Sequence, residues 1–188
     1  MYRFFLAFGL LAAAIFPAAA EEVRNPAPVE IPTLFGTLII GTNFPREVVN
    51  FTENQAAGTI IVNTKQRRLY YVLGNGKAVR YAIAVGKEGY SWSGTSTVSS
   101  KREWPDWSPP PEMRARRPDL PVHMAGGPNN PLGARALYLG DTLYRIHGTN
   151  EPWYMGTARS SGCIRMTNDD VIDLYNRTKI GATVIVRQ

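Results

Sequence analysis

One cysteine and one nearby histidine are the residues best suited to chemistry in this 188-residue chain. Cys163 follows Gly162, precedes Arg165 by two positions and lies 16 residues after His147. An imidazole can take the proton of a thiol, and positive charge can hold the thiolate, so this set favours a cysteine nucleophile. Gly162 lets the backbone approach a substrate closely, and the N–H groups of Gly162 and Cys163 could then face a developing oxyanion.

Other interpretations of the same residues exist. Cys163 could be a small buried hydrophobe and His147 a hydrogen-bonded core histidine. A closed zinc site would need carboxylates at unmarked spacings beside Cys163, His123 and His147, so neither a metal nor another cofactor is predicted. A thiol oxidoreductase is disfavoured because the chain has no Cys-x-x-Cys pair.

The N-terminus has the pattern of an export signal. A positively charged start at Met1–Arg3 precedes an uncharged apolar run over residues 4–16, and Ala18–Ala20 supplies small residues before Glu21. The pattern predicts a signal peptide over residues 1–20, cleaved before Glu21, and a periplasmic protein. The alternative, a membrane anchor, is disfavoured because the apolar run is shorter than the roughly 20 residues of a spanning helix. A lone cysteine in an exported protein cannot form an intramolecular disulfide, which favours its chemical use.

The charge of the chain is basic. The formal net charge is +6, and basic residues cluster at Lys101-Arg102 and at Arg114–Arg117. For an exported protein this favours cell-wall carboxylates or lipid head groups as anionic partners and disfavours nucleic acid. A solvated basic surface explains the same residues.

Proline and strand signals divide the mature chain. Residues 21–57 include the proline-spaced stretch 25–32, which predicts a tether, and residues 58–188 form the folded domain. Short β-branched or alternating segments predict six strands, over Thr59–Asn63, Arg68–Leu73, Val79–Val85, Ala136–Leu139, Leu143–Ile146 and Thr183–Val186.

Alternation and capping residues refine these elements. Val79, Tyr81, Ile83 and Val85 are expected on one face of their strand, which follows an Asn-Gly turn signal. A late helix is predicted to begin after Thr167 as N-cap, with acidic residues in its first turn. Together these elements predict a mainly antiparallel β-sandwich or barrel with one late helix.

Residues 86–133 show no regular pattern. A long irregular stretch in a compact domain is usually functional. Trp104 and Trp107 within it are expected either to cover the core or to belong to a flap over a substrate groove.

Five segments of the folded domain form a set of motifs: Ile146–Asn150, Ser160–Met166, Asn168–Asp170, Gly126–Gly133 and Ala136-Leu137. Together they resemble the L,D-transpeptidase catalytic domain of the YkuD type. The resemblance runs from about Thr59 to Val186 and has two departures. Ser161 stands where many family members have histidine, and residues 91–96 lack the usual proline and phenylalanine.

The resemblance implies a role for each site residue. Cys163 would be the nucleophile, His147 the base and the Gly148 carbonyl the group that orients the imidazole. Arg165 would organise the pocket or contact a substrate carboxylate. Further substrate contacts are implied for Thr149, Ser160 and Ser161.

The implied reaction acts on the bacterial cell wall. The thiolate would attack the bond between an L-centred diamino acid and D-alanine in a stem tetrapeptide, release D-alanine and leave a thioester. An acceptor amine would resolve the thioester, forming a 3→3 cross-link or attaching an outer-membrane protein or lipoprotein to the wall. Two alternatives stay open: an L,D-carboxypeptidase that uses water, and a non-catalytic peptidoglycan-binding protein.

Overall fold

The computed structural model describes residues 29–33, 36–40, 45–87 and 92–188. The predicted signal peptide lies outside these residues. Within them, no helix is long and apolar enough to cross a membrane.

The described elements are short strands with two α-helices. The strands are β1 (Val29–Thr33), β2 (Gly36–Ile40), β3 (Glu47–Asn50), β4 (Ile60–Asn63), β5 (Arg68–Gly74), β6 (Lys77–Ala82), β7 (Val85–Gly86), β8 (Gly94–Glu103), β9 (Arg135–Leu139), β10 (Arg145–His147), β11 (Ala158–Ser160), β12 (Ile164–Arg165) and β13 (Thr183–Arg187). The helices are α1 (Pro111–Arg116) and α2 (Asn168–Arg177), and a 3₁₀ turn covers Pro152–Tyr154.

Nine of the described strands pair in the order β12-β10-β9-β8-β13-β4-β5-β6-β3. Most neighbours are antiparallel, while β13 with β4 and β10 with β12 are parallel. The predicted mainly β fold with one late helix is confirmed. The short helix α1 is an addition within the stretch predicted to be irregular.

The main core lies under the face that alternation predicted for β6. Val79, Tyr81, Ile83 and Val85 all belong to one buried cluster, as expected. The strand itself is interrupted: β6 ends at Ala82, and β7 starts a separate pairing with β11. The partner changes after Ile83: the Ile83 N–H still donates to Arg67 beside β5, whereas the Ala84 N–H donates to the Arg165 carbonyl.

The largest difference from the expected fold is β8, a ten-residue strand inside the stretch predicted to be irregular. It pairs with β9 on one side and β13 on the other. Only Val98 of this strand is buried, so its polar sequence carries no alternation signal. Its backbone hydrogen bonds, which periodicity does not report, hold it in the sheet. Trp104 just beyond it is 42% exposed and does not cover the core.

A smaller difference concerns the strand that ends at His147. The sequence predicted Leu143–Ile146, whereas β10 covers Arg145–His147. Thr142 forms a turn, because its hydroxyl donates to the Leu139 carbonyl at 2.7 Å and accepts from the Tyr144 N–H at 3.1 Å. Leu143 is consequently 72% exposed beside the turn.

Part of the predicted tether belongs to the sheet. The edge strand β3 pairs with β6, and Phe51 is buried in a second small cluster. Residues 47–51 therefore join the sheet, and β1 pairs with β2 elsewhere in the stretch predicted as a tether. An edge strand such as β3, with one half-buried side chain, gives little hydrophobic signal in the sequence.

Helix α2 is fixed at its start and along its length. The Thr167 hydroxyl accepts from the Asp170 N–H at 3.2 Å, so the predicted N-cap is confirmed. The buried Tyr81 hydroxyl donates to Asp173 at 2.5 Å, and Arg46 contacts Asp170 at 3.3 Å. These contacts hold the beginning of α2 against the sheet that carries His147.

Candidate active site

His147 ends β10 and is buried, with 3% of its surface exposed. Its Nδ1 lies 2.6 Å from the Gly148 carbonyl oxygen. A carbonyl oxygen only accepts, so the Nδ1 atom carries the proton and Nε2 keeps a free electron pair. The imidazole is thereby held in the tautomer that a general base requires.

Cys163 occupies the turn between β11 and β12 and is half-buried. Its Sγ lies 3.8 Å from the Leu143 carbonyl oxygen. The Ser160 hydroxyl closes the turn by donating to the Cys163 carbonyl, and it accepts from the Gly162 N–H at 3.3 Å. Gly162 has φ +107°, a conformation that glycine adopts without strain.

The pairing of two short strands places His147 opposite Arg165. These strands, β10 and β12, are parallel. Side chains of paired residues project from the same face of a sheet, and Cys163 lies two positions before Arg165. The Met166 N–H donates to the His147 carbonyl at 2.9 Å and continues this connection.

The predicted substrate contacts divide into two groups. Ser160 and Thr149 are 1% and 2% exposed. The Thr149 hydroxyl accepts from the Glu151 N–H at 3.0 Å, while the Ser160 hydroxyl closes the cysteine turn. Their burial favours a turn-forming role over the predicted substrate contact. Ser161 is exposed and remains a candidate for that contact.

Arg165 presents its guanidinium at the edge of the site. Its Nη1 lies 3.6 Å from the Glu151 carboxylate, and the side chain is 24% exposed. Its Nε is buried without a hydrogen-bond partner among the described residues. The backbone is fixed by reciprocal bonds with Ala84, at 2.8 and 2.9 Å.

The electrostatics of the site keep His147 neutral. Burial, followed by the positive charge of Arg165, lowers the pKa of His147 from 6.5 to about 3, while its bond to the Gly148 carbonyl acts in the opposite direction. At neutral pH the imidazole is therefore an uncharged proton acceptor.

The sequence does not predict how the loop that ends at Gly133, beside the His147 turn, is held. Asn130 is 1% exposed, and its side-chain amide donates to the Met124 and Ala125 carbonyls while its oxygen accepts from the Leu132 N–H. This organises the loop that ends at Gly133. The Gly126–Gly133 motif gave a signal for the loop but not for the buried amide.

Gly133 packs directly on the His147 turn. It has φ +64°, and a Cβ there would lie 2.3 Å from Asn168 Oδ1 and 2.4 Å from the Thr149 nitrogen. Gly148 has the same relation to Asn168, since its Cβ would lie 2.3 Å from the same oxygen. The two glycines thus leave room for one amide oxygen between the loop and the turn.

Gly133→Ala is expected to destabilise the fold and to reduce activity. The free energy of unfolding should fall by about 2–4 kcal/mol. A side chain in the left-handed conformation and overpacking against backbone each cost on the order of 1–3 kcal/mol. Thermal unfolding measures the effect. Gly127→Ala is the control, since no atom lies within 4 Å of its Cβ position. Equal melting temperatures for the two variants would contradict the close contact.

No cluster of three or more histidine, cysteine or acidic side chains suited to a metal occurs among the described residues.

Comparison with known proteins gives a consistent family match. The family model of the L,D-transpeptidase catalytic domain matches residues 57–186. The "Probable L,D-transpeptidase ErfK/SrfK" of Escherichia coli strain K12 is 38% identical over 66% of this chain and 42% of that protein. The chain spans about half the length, 42–48%, of the first curated relatives that it matches.

Two solved structures have a similar fold. A Brucella melitensis chain described as a probable carnitine operon oxidoreductase is 46% identical, with TM-score 0.54 over 79% of this chain and 96% of that chain. L,D-transpeptidase 3 from Mycobacterium tuberculosis, in complex with a faropenem-derived adduct, is 19% identical, with TM-score 0.53 over 70% and 60% of the two chains. The family model covers most of the chain, including the Cys163 turn and the His147 turn. The chain therefore belongs to the L,D-transpeptidase catalytic domain family.

Proposed function

We propose that this chain is a peptidoglycan L,D-transpeptidase that uses Cys163 as nucleophile. One observation carries the proposal: the 2.6 Å contact between His147 Nδ1 and the Gly148 carbonyl leaves Nε2 as the available base. His147 and Arg165 are register partners, and Cys163 lies two positions before Arg165 in the sequence. Family membership supplies the substrate class, a peptidoglycan stem peptide.

In the first step His147 Nε2 accepts the thiol proton as Sγ attacks the carbonyl of the L-centred diamino acid. The Cys163 N–H is the stronger candidate for the oxyanion, because the Gly162 N–H is directed at the Ser160 hydroxyl. Collapse of the tetrahedral intermediate breaks the amide bond. His147 returns the proton to the amine of D-alanine, which leaves, and a thioester remains on Cys163.

In the second step an acceptor amine attacks the thioester. His147 takes a proton from this amine and gives it to the departing Sγ, which restores the free enzyme. An amine from another stem peptide yields a 3→3 cross-link, and an outer-membrane protein or lipoprotein is a further candidate acceptor. Water in the same position would make the enzyme an L,D-carboxypeptidase.

The proposal places the enzyme in the periplasm, where the predicted signal peptide would deliver it. The faropenem-derived adduct of the M. tuberculosis relative supports a reactive acyl-accepting site in the family. For this chain we propose that the same class of electrophile acylates Cys163.

Incubation of the reduced protein with purified disaccharide-tetrapeptide tests the reaction. Mass spectrometry should show free D-alanine and a dimer whose mass equals that of two tetrapeptides minus one alanine molecule. Tripeptide and D-alanine without dimer would assign the carboxypeptidase reaction. Unchanged tetrapeptide, bound by folded protein, would favour the non-catalytic binding function.

Arg165→Lys is expected to bind substrate less well than the wild type. Its KM for the tetrapeptide should be about tenfold higher or more, which corresponds to the loss of one charge-assisted hydrogen bond. Lysine keeps the charge but loses the planar fork that binds a carboxylate through two N–H groups. In the free protein the partner is Glu151, at 3.6 Å, and a substrate carboxylate must compete with it. Steady-state kinetics of Arg165→Lys and Arg165→Ala measure the effect.

Arg187→Ala is the matched control for these kinetics, because Arg187 pairs with Glu53 on another part of the sheet. A purely electrostatic role would leave Arg165→Lys close to the wild type. Equal KM in the wild type and both Arg165 variants would remove Arg165 from the substrate site.

A further inference from the structure

Asn168 lies directly behind the His147 turn. It is the first residue of α2, after the Thr167 cap. Its Oδ1 accepts from the Ala134 N–H at 2.9 Å and from the Thr149 N–H at 3.3 Å. One amide oxygen therefore joins the loop before β9, the turn after β10 and the start of α2.

The hydrogen bond between Asn168 and Thr149 is linked to the imidazole through a single peptide group. The Gly148 carbonyl and the Thr149 N–H belong to one peptide group. The carbonyl of this group accepts from His147 Nδ1 at 2.6 Å, and its N–H donates to Asn168 Oδ1. The peptide group is thus held at both ends, by the imidazole on one side and by Asn168 on the other.

The space for this oxygen is built by two glycines. A Cβ at Gly133 or at Gly148 would lie 2.3 Å from Asn168 Oδ1. The site therefore accepts a small acceptor oxygen at this point and excludes larger groups.

We propose that Asn168 is a positioning residue for His147, acting through the Gly148–Thr149 peptide group. This inference rests on the proposed function. Asn168 extends the chain of hydrogen bonds from His147 by one member, in the order imidazole, peptide group, amide oxygen.

Two effects follow from this arrangement. A hydrogen bond to the N–H of a peptide polarises its carbonyl, which then becomes a better acceptor for Nδ1–H. The peptide plane is also fixed, so the carbonyl cannot rotate away from the imidazole. Both effects hold the proton on Nδ1 and keep Nε2 as the base.

The test compares alkylation of Cys163 by iodoacetamide at several pH values in matched variants. Asn168→Ala should react about tenfold or more slowly at neutral pH, the scale on which outer hydrogen-bond partners act. Asn168→Asp keeps the acceptor oxygen and should react within about threefold of the wild type. Asn176→Ala is the control, because Asn176 is exposed on the same helix. His147→Asn reports the loss of the base itself.

Two further measurements separate positioning from a general structural role. Nitrogen NMR of His147 should show the Nδ1–H tautomer in the wild type and in Asn168→Asp, and a mixture in Asn168→Ala. With the tetrapeptide, Asn168→Ala should lower kcat and leave KM within about twofold, because Asn168 does not touch the substrate in this mechanism. Thermal unfolding curves give a temperature at which every variant is folded, and the variants are compared at that temperature.

The outcomes distinguish this inference from the proposed function. Slow alkylation in His147→Asn combined with wild-type alkylation in Asn168→Ala would overturn the role of Asn168 alone. Wild-type alkylation in His147→Asn would overturn the proposed mechanism. If Asn168→Ala does not fold, Asn168→Asp decides: a mixed His147 tautomer there, despite the retained oxygen, would overturn the inference.

Discussion

Cys163→Ser should lower formation of cross-linked product by about three orders of magnitude or more, the scale on which loss of a nucleophile acts in comparable hydrolase sites. A hydroxyl is far harder to deprotonate than a thiol, so the same base cannot produce a comparable nucleophile from serine. Incubation with disaccharide-tetrapeptide, followed by mass spectrometry of the products, measures the loss.

The fold should survive this replacement. Cys163 is half-buried in a turn, and the thiol contact given by the structure is with the Leu143 carbonyl at 3.8 Å. Oxygen is smaller than sulfur, so serine creates no clash. A melting temperature within a few degrees of the wild type is the control, and wild-type product yield from the folded variant would exclude a Cys163 thioester.

The candidate catalytic residues can be proposed from the sequence because cysteine and histidine are rare in this chain. The chain holds one cysteine and two histidines, so few nucleophile and base pairs can be formed. Alternation identified the buried face of β6 for a similar reason, since Val79, Tyr81 and Ile83 leave one arrangement that buries them together. Composition limits the choices in the first case, and the order of the residues limits them in the second.

Elements held by backbone hydrogen bonds were harder to predict. Strand β8 lies between β9 and β13, but its only buried residue is Val98. Strand β3 is an edge strand whose side chains are mostly exposed, so its sequence resembles that of a tether. Hydrophobic patterns report burial, and these strands are stabilised by pairing with their neighbours.

The contacts that support the His147 turn join residues that are far apart in the sequence, so no local pattern reveals them. Asn168 and Ala134 are 34 positions apart, yet they share a 2.9 Å hydrogen bond. The need for glycine at positions 133 and 148 is explained only by the structure, in which the Asn168 Oδ1 atom lies where a Cβ at either position would clash. The sequence therefore predicts which groups react, and the structure is needed to see what orients them.

Faropenem should acylate Cys163 of the folded, reduced protein. The strained β-lactam carbonyl is a better electrophile than an amide, and attack by Sγ opens the ring without releasing a leaving group. The first adduct should therefore add the whole mass of the compound, and Cys163→Ser should show none. Blocking the thiol with iodoacetamide beforehand should prevent the adduct, because the thiolate is the nucleophile.

Site and specificity are tested in the same intact-protein mass measurement. Peptide mapping should place the adduct on Cys163, and the disaccharide-tetrapeptide should slow its formation by competing for the same thiol. Faropenem and tetrapeptide both present a carbonyl to Sγ, so competition between them links acylation to the proposed reaction. Absence of any mass increase over hours, in protein whose thiol still reacts with iodoacetamide, would show that the site does not accept acyl groups and would favour the non-catalytic binding function.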